Sequence, residues 1–118
     1  MTVTLYGIAH CDSVKRARTW LAAQGIAVAF HDFKQAGVPP ERLREWIAAA
    51  GWQALVNRSG TTWRRLDDAT RDAVHDAASA TALMLAQPSL IKRPVVEWGD
   101  DAVTVGFDAA QWARRPLR

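Results

Sequence analysis

The stretch 5-LYGIAHCDSVKRARTWL-21 passes from an apolar alternation into a helical repeat, and it carries the chain's one cysteine at the junction. The residues around its start, TVTLYGI, alternate and are rich in β-branched and aromatic side chains, which predicts a strand over 2–6. Val14, Ala17 and Leu21 recur at helical spacing while Lys15, Arg16 and Arg18 point elsewhere, so a helix is expected over about 13–24. Cys11 then lies in the turn between strand and helix, with Asp12 or Ser13 as the expected N-cap.

Reading outward, Gly25 is a natural stop for that helix, and IAVAFHDF supplies a second strand over 26–31. Strand, helix and strand make a β-α-β unit, with parallel strands and a right-handed crossover. Pro39 and Pro40 open a helix that reaches about Ala50, with Leu43, Trp46, Ile47 and Ala50 as its buried stripe and Gly51 as its end. WQALVNRSG reads as a short helical turn leaving into a loop, and GTTWRRL continues that loop. DDATRDAVHDAASATALMLAQ is Ala-rich and starts with acids; Leu66, Ala69, Ala73 and Ala77 are expected on one face, with Ser79 as a break. After Pro88 the chain returns to strands, 95–98 and 102–106 around a GDD turn, and closes with a helix capped by Asp108.

One sheet with strands from both ends of the chain, flanked by helices, is the simplest packing for this order. The expected fold is α/β and thioredoxin-like (glutaredoxin-like). It has a mixed sheet of about four strands in a single domain over 1–118, with a helical insertion over about 39–88 between the second and third strands.

Composition narrows the function classes. A chain of 118 residues can bury a core of its own, and 49% hydrophobic with 23% charged residues is ordinary globular composition. No apolar run approaches the roughly 20 residues of a bilayer span, and MTVTLYGIAH does not read as a signal peptide. A single cysteine forms no internal disulfide and no cysteine-rich metal site, so a free thiol in a reducing cytoplasm is the expectation. The net charge of +3 argues only weakly for anionic partners. The KRAR strip lacks any interleaved aromatics or groove-reading motif, so it reads as a solvated helix face, and no nucleic acid is expected.

The placement of Cys11 gives it chemistry. A thiol at a helix N-terminus faces unpaired backbone N–H groups and the positive end of the helix dipole, and both favour the nucleophilic thiolate. Lys15, one turn on, adds positive charge; Asp12 acts the other way unless its carboxylate turns into the cap. The alternative is a small buried hydrophobe. His10 is adjacent and is a candidate base or thiolate stabiliser, although neighbours on an extended turn point apart. His31 and His75 have no partner pattern, and no metal signature exists. Of the six Trp, Trp20, Trp46 and Trp52 read as packing residues, whereas Trp63 is a candidate wall of a substrate groove.

The stretches YGIAHCDSVKRARTWL, FHDF, GWQALVNRSGTTWRRLDD, DAASATALMLAQPSLIKRPVVE and VGF resemble, in order and over nearly the whole chain, the arsenate reductase family of thioredoxin-fold proteins. That family includes the Spx regulators, and the likeness is nearest to its small YffB-like subgroup. The resemblance implies that Cys11 attacks an oxidised substrate, with glutathione and glutaredoxin resolving the adduct. It implies that Arg93 of the RP motif binds an oxyanion or a glutathione carboxylate, and that Pro94 follows a cis peptide bond. The position near NRSG falls on Arg58 or Asn57. Lys15, Asp12 and Ser13 complete the implied substrate- or glutathione-binding set around the nucleophile.

The chain also departs from the family pattern. Gly7, Ile8 and Ala9 stand where arsenate reductases carry His, Asn and Pro. Lys15 replaces an arginine after the cysteine, and the late arginine falls on or beside Gly106. Fewer cations ring the thiolate than an arsenate site needs, which favours a bulkier, thiol-containing substrate. The leading expectation is a monomeric glutathione-dependent thiol oxidoreductase with glutathione as co-substrate and no bound cofactor. Two alternatives are a true arsenate reductase and an Spx-like module that binds RNA polymerase through the helical block. Val14 occupies the second position of a C-x-x-C, so a switch between two cysteines within one chain is impossible.

Overall fold

A computed structural model describes residues 2–115. The elements are β1 (Val3–Gly7), α1 (Asp12–Ala23), β2 (Val28–Asp32), α2 (Phe33–Ala36), α3 (Pro40–Ala50), α4 (Trp52–Leu55), α5 (Thr61–Arg65), α6 (Asp68–Asp72), α7 (Ala77–Ala86), a 3-10 turn (Pro88–Leu90), β3 (Val95–Glu97), β4 (Val103–Val105) and α8 (Ala109–Ala113). They fall into two compact units, residues 1–36 with 93–118 and residues 37–92.

The first unit holds the sheet, in the order β2-β1-β3-β4. β1 and β2 are parallel, with Leu5 opposite Phe30, as the β-α-β reading requires. β3 runs antiparallel to β1, pairing Leu5 with Val96, and β4 completes the C-terminal hairpin. A mixed sheet flanked by helices is thus the fold, the thioredoxin-like arrangement. α1 lays Val14, Ala17 and Leu21 into the core with Leu5 and Val96, all fully buried. Its end is a Schellman motif: Gly25, at φ +71°, donates to Ala22 O, and Ile26 donates to Leu21 O. That closure occupies Ile26, so β2 begins at Val28 rather than at residue 26.

Trp112 of α8 seals the core. It takes edge contacts from Trp20, Trp98 and Phe107 at centroid distances of 5.7, 5.0 and 4.9 Å. Such pairs each add about 0.5–1.5 kcal/mol beyond burial. Asp108 caps α8 by accepting from Gln111 N at 3.1 Å, as expected. Trp98 lies just past β3 instead of within it, and its Nε1 donates to Thr104 Oγ1 at 2.9 Å.

The second unit is helical. α3 opens with Pro40 in its first turn and buries Leu43 and Trp46. GTTWRRL is the helix α5 and not a loop; Asn57 Oδ1 accepts from Ser59 N and turns the chain toward the Gly60 cap. The Ala-rich segment is two helices, α6 and α7, yet Ser79 is not the break. Asp76 accepts from Ser79 N while Ser79 Oγ accepts from Asp76 N, a capping box that starts α7. Ala69, Ala73 and Ala77 are exposed, contrary to the expected stripe, and α7 buries Ala80 and Met84 instead. The restart at Asp76 resets the helical phase, so a face counted through from residue 66 does not survive it.

Candidate functional site

The turn after β1 brings the thiol to the head of α1. Cys11 itself is the N-cap, with extended backbone (φ −73°, ψ 128°), and Asp12 is the first helical residue. This corrects the assignment of the cap to Asp12 or Ser13. Cys11 N donates back to Ile8 O at 3.0 Å, and Lys15 N donates to Cys11 O at 3.0 Å, so the backbone on both sides of the sulfur is fixed.

The sulfur occupies the place of a capping oxygen. Sulfur is a weak acceptor, and it makes no full capping hydrogen bond. Yet the Ser13 and Val14 N–H groups, the second and third of the helix, act on it. Partial burial raises the thiol pKa, but the Val14 N–H, the Arg93 guanidinium hydrogen bond, the Ser13 N–H and the Arg93 charge together outweigh it and hold the pKa below the usual thiol value. The cation acting on the thiol is therefore Arg93, and a cis peptide bond joins it to Pro94, as the resemblance implied. Pro94 is buried, and its carbonyl accepts from Gly106 N at 2.8 Å, which ties the cis bend to the end of β4.

Two glycines shape the backbone around the thiol and the cis bend. Gly7 is buried, and a Cβ there would lie 2.6 Å from Val14 Cγ2, so strand and helix touch with no space for a side chain. Gly106 sits at φ +84°, which side-chain-bearing residues rarely adopt. Packing thus leaves no space for a side chain at Gly7, and backbone conformation disfavours one at Gly106, on or beside which the resemblance places a late arginine.

The structure brings Cys11, Ser13, Arg93 and Pro94 together within the first unit. Asp12 is exposed beside them, and His10 is exposed. Lys15 is exposed too and lines a groove along α1 with Arg16 and Trp20. In the second unit, Asn57, Arg58 and Trp63 gather with one another: Arg58 lies over the rings of Trp52 and Trp63, at 5.5 and 5.7 Å from their centroids. The Val14 N–H was the contributor that sequence reasoning missed. Counting three residues on from a cysteine N-cap would have found it.

Among the described residues no cluster of His, Cys, Asp and Glu could hold a metal ion, and no helix is long and apolar enough to cross a membrane. A single thiol, acidified at a helix head beside a cis-proline in a four-stranded mixed sheet, defines a thioredoxin-like thiol protein. Within that class the chain belongs to the ArsC family, whose model matches residues 6–115.

Three relatives show how near the likeness runs. The solved structure of the YFFB (PA3664) protein is 51% identical, covers 94% of this chain and 96% of its own, and superposes with a TM-score of 0.88. An arsenate reductase (ArsC) related protein from Brucella melitensis is 50% identical over 95% of this chain and 92% of its own, with a TM-score of 0.76. An uncharacterized protein from Haemophilus influenzae is 36% identical over 110 residues, 93% of this chain and 95% of that one. The likeness to the YffB-like subgroup is therefore borne out.

Proposed function

We propose that the protein is a glutathione-dependent thiol oxidoreductase that acts in the cytoplasm on mixed disulfides of glutathione. The observation that carries this reading is the position of Cys11 as the N-cap of α1, where the Val14 and Ser13 N–H groups and Arg93 lower its pKa against the cost of burial. Family membership supports thiol chemistry of the arsenate-reductase type. Packing at Gly7 and the left-handed backbone at Gly106 favour a disulfide over arsenate, since neither position can present a further cation or hydrogen-bonding side chain without rearrangement.

In the proposed cycle the Cys11 thiolate attacks the glutathione sulfur of a mixed disulfide. The Cys11–glutathione bond forms, the original disulfide breaks, and the substrate leaves as a thiolate that takes a proton from water. A second glutathione thiolate attacks the glutathione sulfur on Cys11, forming oxidised glutathione and restoring the Cys11 thiolate. Each turn consumes one reduced glutathione, and because the chain has one cysteine the resolving thiol must come from outside. Arg93 offers a planar fork to a glutathione carboxylate and holds the thiolate between turns.

The test is steady-state reduction of the cysteine–glutathione mixed disulfide, followed as oxidised glutathione formed, with arsenate assayed in parallel. Turnover of the disulfide, its loss in Cys11→Ser and little turnover of arsenate are expected. Activity retained in Cys11→Ser, or faster reduction of arsenate, refutes the proposal.

A further inference from the structure

A groove runs along the outer face of α1, away from the thiol, with a volume of about 440 Å³ and walls formed by Lys15, Arg16, Thr19, Trp20, Ala23 and Phe107. We infer that it binds the peptide half of the mixed disulfide and selects a cysteine segment with an acidic residue near the cysteine and an apolar residue farther along. This rests on the oxidoreductase reading above and names its substrate class.

The groove begins one helical turn from the site. Lys15 stands one turn from Cys11 on the same helix, and Cys11, Trp20 and Phe107 pack against the same core cluster. Its charge is of one sign: Lys15 and Arg16 are its only charged walls, and among the described residues neither is paired with a carboxylate. Arg16 reaches only a 3.5 Å contact with Ser13 Oγ and lies 5.9 Å from the Phe107 centroid, so its guanidinium remains at the rim. The floor is rigid, because Trp20 and Phe107 are both braced edge-on against buried Trp112. A preformed aromatic floor binds an apolar side chain at little cost in ordering.

Spacing sets the ligand's pattern. At about 1.5 Å of rise per helical residue, Lys15 and Arg16 lie about 6 to 8 Å along the axis from Cys11, and Ala23 lies about 18 Å along it. An extended peptide covers about 3.3 Å per residue, so its residues about two positions from the cysteine meet the cations. Those at least four or five positions away meet the Trp20, Ala23 and Phe107 end, since the path also turns around the helix. Glutathione has no apolar side chain to fill that end, and its carboxylates suit Arg93, so the groove fits the other half of the disulfide.

The experiment uses two S-glutathionylated peptides that differ only near the cysteine, one with glutamates and one with lysines, each with a phenylalanine four residues on; cysteine–glutathione disulfide is the small control. Two exposed charge contacts predict a kcat/KM preference of about fivefold for the acidic peptide, and Arg16→Glu is expected to remove or invert it. In parallel, the acidic peptide with serine in place of cysteine is titrated into the protein by NMR, where shifts at Thr19, Trp20, Ala23 and Phe107 are expected. Reduction of the small disulfide with equal rates for both peptides, unchanged by Arg16→Glu, overturns the groove assignment. So does a titration whose shifts fall elsewhere, or one in which reduced glutathione alone gives the same shifts at these four residues. Failure to reduce any of the three disulfides, with the groove shifts intact, refutes the oxidoreductase reading and leaves peptide binding standing.

Discussion

Gly7→Ala probes the contact on which both the fold and the site depend. The added Cβ would lie 2.6 Å from Val14 Cγ2, about 0.8 Å inside the 3.4 Å where ordinary contact begins. Val14 is fully buried, and its β-branched side chain has one strongly preferred rotamer in a helix, so it cannot turn aside. Relief must come from moving the first turn of α1 away from β1. Overpacking of this kind costs about 2 kcal/mol. Alanine also restricts the unfolded chain relative to glycine, which returns about 0.7 kcal/mol. The net loss of about 1.3 kcal/mol corresponds to a Tm lower by roughly 5 °C for a chain of this length.

The assay is a double-mutant cycle by thermal or urea denaturation. In a Val14→Ala background the obstructing methyl groups are gone, and Gly7→Ala should become neutral or slightly stabilising. The same displacement would move the Val14 N–H away from the Cys11 sulfur, so iodoacetamide alkylation of Gly7→Ala should shift to higher pH. An equal cost in both backgrounds, or a Tm that rises in the single variant, refutes the claim that strand and helix touch at this point. A normal alkylation profile in a clearly destabilised Gly7→Ala refutes the link between that contact and the thiolate.

The remaining predictions concern the cation and the closing helix. Arg93→Ala removes two of the influences that lower the Cys11 pKa while leaving the burial that raises it, so the midpoint of alkylation against pH moves upward and the rate at neutral pH falls. An unchanged midpoint would exclude Arg93 as the partner of the thiolate. Asp108→Ala deletes the cap of α8 and should cost about 1 kcal/mol, since a capping carboxylate satisfies a helix N–H that is otherwise orphaned. Because Trp112 follows four residues on, the loss should also appear as a change in near-ultraviolet circular dichroism. A stability within 0.3 kcal/mol of the parent would show that α8 is held by Trp112 alone.

The residues themselves determined much of this protein. The alternation before Gly7, the 14, 17, 21 spacing and Gly25 placed the first strand, the helix and its end, because each depends on contacts within a few residues. The position of Cys11 between them marked it as the candidate nucleophile on the same local grounds. Resemblance to a family supplied the cis bond before Pro94 and singled out Arg93, which no local pattern signals.

Tertiary structure decided what depends on residues far apart in the chain. Arg93 acts on Cys11 only because β3 pairs antiparallel with β1. The closeness of Gly7 to Val14 is set by the packing of α1 on the sheet. The expected alanine stripe through Ala69, Ala73 and Ala77 failed because helical phase is lost wherever a chain breaks and restarts, here at the Asp76 capping box. The groove between α1 and Phe107 was illegible for the same kind of reason. Its walls come from positions more than eighty residues apart, and they meet because Trp20 and Phe107 both pack on Trp112.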